Sequence, residues 1–175
     1  MDPFKIYPQA YKMLENLTAV PVDCGSLCGK ACCKDTFADA LDSSDQAGMY
    51  LYYAEDVMFK NQNDIKIISS DFKYANTFAK LAVCKGTCDR HTRPLSCRIF
   101  PLIPYMKENS PLTVIIDPRA KSMCPLAKAY TLGDFNEKFC ETVFYIFKFL
   151  TKEPHIREFV INQSYLLDEY MKFLG

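Results

Sequence analysis

The chain has 175 residues, of which 49% are hydrophobic, 13 are Phe and 11 are Tyr. This length and apolar content predict a globular protein with its own core and exclude a disordered chain. Its 21 basic residues balance 21 acidic ones, so it lacks the basic excess that is typical of an extended nucleic-acid-binding surface. We therefore expect no nucleic-acid partner.

Neither the N-terminus nor the most apolar later segment has the pattern of a secretory signal or of a membrane-spanning helix. Asp2 and Lys5 interrupt the N-terminus, where a secretory signal would have an unbroken apolar stretch. The most apolar later segment, 135–150, contains four charged residues and is too short to span a bilayer. We expect a cytoplasmic protein with no membrane partner.

Apolar periodicity and punctuation by Pro and Gly predict the regular elements. The N-terminal part is predicted to contain a helix over 4–17, a cysteine loop after Pro21, an irregular stretch over 34–48 and an extended piece that enters a helix near Ala54. Strands are predicted over 65–69, 78–83 and 112–116. Three helices follow, from Ser122 to Tyr130, from Asp134 to Leu150 and from Pro154 to Phe173.

Three residues are predicted to begin helices. Ser122 is a candidate N-cap, Asp134 with Glu137 resembles a capping box, and Pro154 suits a first helical turn. The elements together predict an α+β fold: a small antiparallel sheet with helices, Cys-rich loops and a C-terminal helical hairpin over 134–174. We expect a single domain over 1–175, with a metal-binding core at roughly 20–130.

Nine cysteines are the most informative feature of the chain. Cytosolic thiols stay reduced, and an odd count weakens a disulfide framework further. Eight of the nine fall in segments poor in regular structure, whereas Cys140 lies in a predicted helix, where it suits a core position. These eight are Cys24, Cys28, Cys32, Cys33, Cys84, Cys88, Cys97 and Cys124.

Clustered thiolates are the ligands that soft metals require. Glycines next to several of these cysteines let the backbone turn toward sulfur, and nearby Lys and Arg residues lower thiol pKa values and offset the charge of a thiolate site. A redox dithiol is less well supported because no C-x-x-C is present. The sequence therefore predicts a bound metal ion, either zinc or an iron–sulfur cluster, held by the eight cysteines.

The spacing leaves the architecture of the site open. Neither the C-x3-C-x2-C pattern of radical enzymes nor the C-x2-C zinc knuckle is present. We expect a site that joins both cysteine segments, since neither has a complete-site spacing alone. The adjacent Cys32 and Cys33 serve two metals, or one metal and a core contact.

The motifs "CGKACC" (residues 28–33), "RPLSCRIFPLIP" (93–104) and "CPL" (124–126) resemble a known family. They look like the YkgJ-type cysteine-cluster proteins, the CxxCxxCC proteins described as zinc- or iron-chelating domains. The resemblance covers roughly residues 20–130. The flagellin lysine N-methylases, thought to carry an iron–sulfur cluster, look like distant relatives. The resemblance implies a cofactor class and no reaction.

Other polar residues have more ordinary interpretations. His91 and His155 are expected to be structural, and Glu55 with Asp56 is expected to supply negative charge at a helix N-terminus. Arg93 and Arg98 are candidates for binding an anion, but they fit better as groups that neutralise the thiolates and connect loops. Asp117 is expected in a turn.

The leading hypothesis is a metal-binding protein with a structural or sensing site and no catalysis of its own. The alternative is an iron–sulfur-dependent transferase related to the lysine methylases. An open coordination position, or a pocket beside the cysteines lined by Tyr50, Tyr52 and Tyr53, would favour that alternative.

Overall fold

The computed structural model of the protein describes residues 3–22, 24–34, 47–59, 65–84 and 90–174. Within these ranges helices and strands both occur, which confirms the predicted α+β class. The elements are α1 (Pro3–Met13), α2 (Gly25–Cys28), α3 (Ala31–Lys34), β1 (Ala47–Leu51), β2 (Ile65–Tyr74), β3 (Thr77–Cys84), α4 (Leu95–Ile99), β4 (Leu102–Tyr105), β5 (Thr113–Ile116), α5 (Pro125–Ala129), α6 (Glu137–Leu150) and α7 (Pro154–Leu174).

The strands form two antiparallel sheets. The first has the order β1-β3-β2, with β3 in the centre, and the second pairs β4 with β5. All three predicted strands are present, and the extended piece before Ala54 is β1. The strand β4 was not predicted because Pro101 and Pro104 suggested irregular structure. Pro104 is tolerated because a two-stranded sheet consists of edges, where a missing N–H need not break a ladder.

Helix α1 buries the predicted apolar stripe but is shorter than predicted. Tyr7 and Leu14 are fully buried, yet the helix ends at Met13 rather than near residue 17. Beyond this end, the Arg90 guanidinium donates to the backbone carbonyls of Glu15 (3.3 Å) and Leu17. Those carbonyl oxygens are thereby satisfied without a further helical turn.

The helices that follow residue 120 are present, but two predicted caps are wrong. Ser122 ends a 3-10 helix, and α5 begins one residue after Cys124. Asp134 closes a separate capping box by accepting from the Thr131 N–H (2.8 Å), while the side chain of Asn136 caps α6. The start of α7 at Pro154 is confirmed.

The last two helices pack on both sheets. Helices α6 and α7 both lie against β4, and α7 also contacts β2. Phe159 of α7 is fully buried and makes edge contacts with aromatic rings of the first sheet. Its ring centroid lies 5.4 Å from that of Tyr52, 5.5 Å from that of Phe72 and 5.0 Å from that of Tyr74.

In the part of the chain that the structure describes, no helix combines the length and the apolar character needed to cross a membrane. The single domain over 1–175 stays a prediction. The stretch predicted to be irregular, 34–48, lies mostly outside the described residues.

Candidate metal centre

The first cysteine segment forms two single-turn helices rather than the irregular loop that its glycines suggested. Cys28 ends α2, and α3 contains Cys32 and Cys33. The break between the two turns lies at Gly29 and Lys30, with φ of 61° and 62°. This left-handed backbone suits glycine and stops the first turn, which redirects the chain before α3 begins.

These turns determine how the thiols are arranged. Cys24 and Cys28 are one helical turn apart, and the Cys28 thiol donates to the Cys24 carbonyl oxygen at 3.6 Å. Cys32 and Cys33 are consecutive in a helical turn, where neighbouring side chains diverge by about 100°. Consecutive cysteines can therefore line different spaces.

Three cysteines come from distant elements. Cys84 ends β3 opposite Ile65 of β2, Cys97 lies in α4 and is half-buried, and the buried Cys124 is the N-cap residue of α5. Each therefore lies in or next to a regular element, and the three elements are far in sequence from the first cysteine segment.

Seven described cysteines line two adjoining cavities. The first, termed the Cys124 cavity, is lined by Cys24, Leu27, Cys28, Cys32, Phe100, Cys124, Pro125 and Leu126. The second, termed the Cys97 cavity, is lined by Cys32, Cys33, Met49, Ile65, Ala82, Cys84, Arg93, Pro94, Cys97 and Phe100. Cys32 and Phe100 contribute to both cavities.

The thiols of α3 differ in acidity. The hydrogen bond from the Cys32 thiol lowers the pKa of Cys33 to about 6, and the Arg93 guanidinium acts in the same direction. The same hydrogen bond, with burial, raises the pKa of Cys32. Burial, reinforced by the neighbouring Cys84 and Cys33, raises the pKa of Cys97. Cys33 is thus the thiol of this group best suited to ionise near neutral pH.

A buried carboxylate connects α4 to α1 and to the turn that follows β1. Glu55 is fully buried and accepts from Tyr11 Oη (2.7 Å), Tyr52 N (2.9 Å) and Leu95 N (2.7 Å). The interpretation of Glu55 and Asp56 as helix-end charge missed this role, although Asp56 does pair with Lys80 at 2.6 Å. The sequence carries only a weak signal that Glu55 is buried, which is the run of apolar and aromatic residues that precedes it.

Arg98 connects loops, as one of its two interpretations predicted. It is buried, donates to the carbonyls of His91 (2.8 Å) and Arg93 (2.9 Å), and lies 4.4 Å from the centre of the Tyr11 ring. His91 is exposed, and its Nδ1 lies 3.7 Å from Oε1 of Glu15.

A third cavity, termed the Tyr50 cavity, shares Met49 and Phe100 with the Cys97 cavity and Phe100 with the Cys124 cavity. It is more polar than either of them. Its lining includes Tyr50, Tyr52, Ser96, Asp117, Arg119 and Gln163. Arg119 donates to both carboxylate oxygens of Asp117, at 3.0 and 2.7 Å. The buried Gln163 Oε1 accepts no hydrogen bond from any described residue.

The remaining two cysteines are Cys88, a predicted ligand, and Cys140, which was predicted to lie outside the site. Cys88 falls in 85–89, outside the described residues. Cys140 lies in α6, half-buried, with its thiol 4.0 Å from the Leu132 carbonyl oxygen. Within the described ranges, no three His, Cys, Asp or Glu side chains already stand in the arrangement of a metal site. The donor chemistry of both cavities nevertheless fits a thiophilic metal, since their metal-ligating side chains are thiols.

Comparisons of the chain with protein-family models, with curated proteins and with solved structures gave no match. The resemblance to the YkgJ-type proteins therefore stays a prediction made from the motifs.

Proposed function

We propose that this protein binds zinc or an iron–sulfur centre through its clustered cysteines, at a structural or sensing site, and that it has no catalysis of its own. One observation carries the proposal: cysteines as distant in sequence as Cys24 and Cys124 line the same cavity. A single free cysteine can pack as a small hydrophobe, but a soft metal needs several thiols close together, and seven cysteines line these two adjoining cavities.

The surroundings of the thiols support the proposal. Apolar side chains such as Leu27 and Phe100 form the rest of the Cys124 cavity, and they offer a metal no competing ligand. Arg93 lines the Cys97 cavity, and a cation there offsets the charge of bound thiolates. Metal binding would replace thiol protons, so affinity should rise with pH.

Elemental analysis of the protein, purified anaerobically without added metal, tests the proposal. We expect zinc or iron to co-purify with the chain, with brown colour and absorbance near 400 nm only if iron–sulfur is present. Cys97→Ser and Cys124→Ser should lower metal content, whereas Cys140→Ala should retain it. Metal content no higher than that of an unrelated protein purified alongside would contradict the proposal.

A second candidate function is an iron–sulfur-dependent transferase, and the Tyr50 cavity favours it. This polar space adjoins the cysteine cavities and is lined by Tyr50 and Tyr52, two of the three tyrosines that would favour the alternative, although Tyr53 lies elsewhere. Iron-loaded protein, incubated with a lysine peptide and S-adenosylmethionine, would then yield a methylated peptide detectable by mass spectrometry. Absence of product from protein with a full iron content would argue against the transferase.

A further inference from the structure

Of the seven cysteines that line the two cavities, six line one cavity alone. Cys24, Cys28 and Cys124 line the Cys124 cavity alone, whereas Cys33, Cys84 and Cys97 line the Cys97 cavity alone. Cys32 lines both. The division crosses the sequence, because each set combines residues of the first segment with residues from a later element.

Helix α3 lies where the two cavities meet. Cys32 and Cys33 are consecutive in α3, about 100° apart around its axis, and their thiols share a hydrogen bond. The ring of Phe100 contributes to the wall of both cavities. One tetrahedral ion takes four sulfur ligands. A single mononuclear site would therefore leave at least three of these seven thiols unused, in cavities that contain few other polar groups.

From this arrangement we propose that the protein has two thiolate metal sites that meet at α3. One is formed by Cys24, Cys28, Cys32 and Cys124, and the other includes Cys33, Cys84 and Cys97. The inference rests on the proposed metal-binding function and adds the number of sites and the assignment of ligands. Each site takes a thiophilic divalent ion such as Zn²⁺ or Co²⁺.

The two sites differ in net charge and in whether their cysteines complete the coordination of the ion. Four thiolates complete the coordination of a tetrahedral ion and leave a net charge of about −2, in a cavity lined otherwise by apolar side chains. Three thiolates leave a charge of about −1, and Arg93 in the Cys97 cavity offsets it. Serine substitution in one set should therefore remove one ion and leave the other bound.

Anaerobic titration of the metal-stripped full-length protein with Co²⁺ tests the inference, with thiolate-to-cobalt charge-transfer absorbance as the readout. We expect wild-type protein to saturate at two equivalents, and Cys97→Ser and Cys124→Ser at one each. Cys140→Ser, the matched control outside both cavities, should still saturate at two. Native mass spectrometry of zinc-loaded wild-type protein counts the ions without any variant.

The outcomes separate the two proposals. Saturation of wild-type protein at one equivalent, with one zinc ion by native mass spectrometry, would overturn the two-site inference and leave the proposed function intact. Complete loss of both equivalents in a single-serine variant that stays folded by circular dichroism would also overturn it. Absence of any thiolate-to-cobalt absorbance would overturn the inference, and together with a lack of co-purified zinc and iron it would overturn the proposed function as well.

Discussion

At the scale of single residues, Glu55 connects three segments of the chain that support the candidate site. Its carboxylate accepts from α1 through Tyr11, from its own turn through Tyr52 and from the first residue of α4 through Leu95. Because Leu95 lies two residues before Cys97, this contact helps to determine where the Cys97 thiol stands. A buried acceptor with three donors is costly to replace.

Burial raises the pKa of Glu55, and the hydrogen bonds from Tyr11, Leu95 and Tyr52 oppose the shift. A carboxyl group whose folded pKa is raised contributes stability that is present below its unfolded pKa and lost as pH rises through the folded pKa. The free energy of unfolding of wild type minus that of Glu55→Gln should therefore decrease with pH, by at most about 1.4 kcal/mol per pH unit.

Urea unfolding of wild-type protein and Glu55→Gln from about pH 5 to about pH 8 measures this difference. Glu108→Gln, at an exposed position, controls for the loss of one carboxylate and should show no comparable trend. A difference that stays constant over this pH range would contradict a raised folded pKa for Glu55.

The residues of the candidate site could be selected from the sequence, but their grouping could not. Spacing and polar neighbours set eight cysteines apart from Cys140, and the structure brings the seven described ones to two adjoining cavities. Which thiol faces which cavity depends on the turn at Gly29 and Lys30 and on where β3 and α4 lie. Spacing alone does not contain that information.

At the scale of elements, long periodic segments were predicted correctly and caps were not. α6 and α7 have strong apolar stripes, so their existence followed from the sequence. The chain offers several cap candidates within a few residues, and tertiary contacts distinguish them. The Asn136 N–H donates to the Ala19 carbonyl at 2.9 Å, and Asn136, two residues after Asp134, is the N-cap of α6. The turns α2 and α3 were missed because four residues carry no periodicity.

The junction of α2 and α3 gives a prediction about backbone strain. Gly29 has a φ of 61°, and a Cβ there would meet nothing within 4 Å, so Gly29→Ala tests the backbone alone. We expect it to lower the free energy of unfolding by about 1–2 kcal/mol. Lys30→Gly, at a φ of 62°, should stay within about 1 kcal/mol of wild type. Equal effects of the two variants in urea unfolding would refute the left-handed junction.

The packing of α7 on the first sheet gives a second element-scale prediction. Phe159 is fully buried among the rings of Tyr52, Phe72 and Tyr74, so Phe159→Ala should destabilise the protein by about 3–5 kcal/mol. Phe173 of the same helix is 87% exposed, and Phe173→Ala should change stability by no more than about 0.5 kcal/mol. Thermal unfolding of both variants measures the contrast, and similar losses would contradict this packing.

At the scale of the whole molecule, a bound metal would tie together elements with few local contacts of their own. α2 and α3 have one helical turn each, too short to be stable alone, whereas α6 and α7 bury long apolar stripes. Binding free energy would therefore act as folding free energy for the cysteine segments.

Chelation of the metal should accordingly loosen residues within 20–125 and leave much of α6 and α7 intact. Hydrogen exchange followed by mass spectrometry, on metal-loaded and metal-stripped protein, is the measurement. We expect protection to fall by several-fold or more in α2, α3 and α4 and to persist in the buried turns of α6 and α7. Unchanged protection throughout would mean that the fold is self-sufficient and the metal an addition to it.

The central claim is that cysteines of the first segment and cysteines of later elements bind metal together. Anomalous diffraction, recorded at the absorption edge of the co-purified metal from crystals of the full chain, tests it most directly. We predict metal density in contact with Cys28 or Cys32 and Cys124, and separate density in contact with Cys33 and Cys97. Crystals without anomalous density at either cavity, or with density contacted by one segment only, would contradict the account.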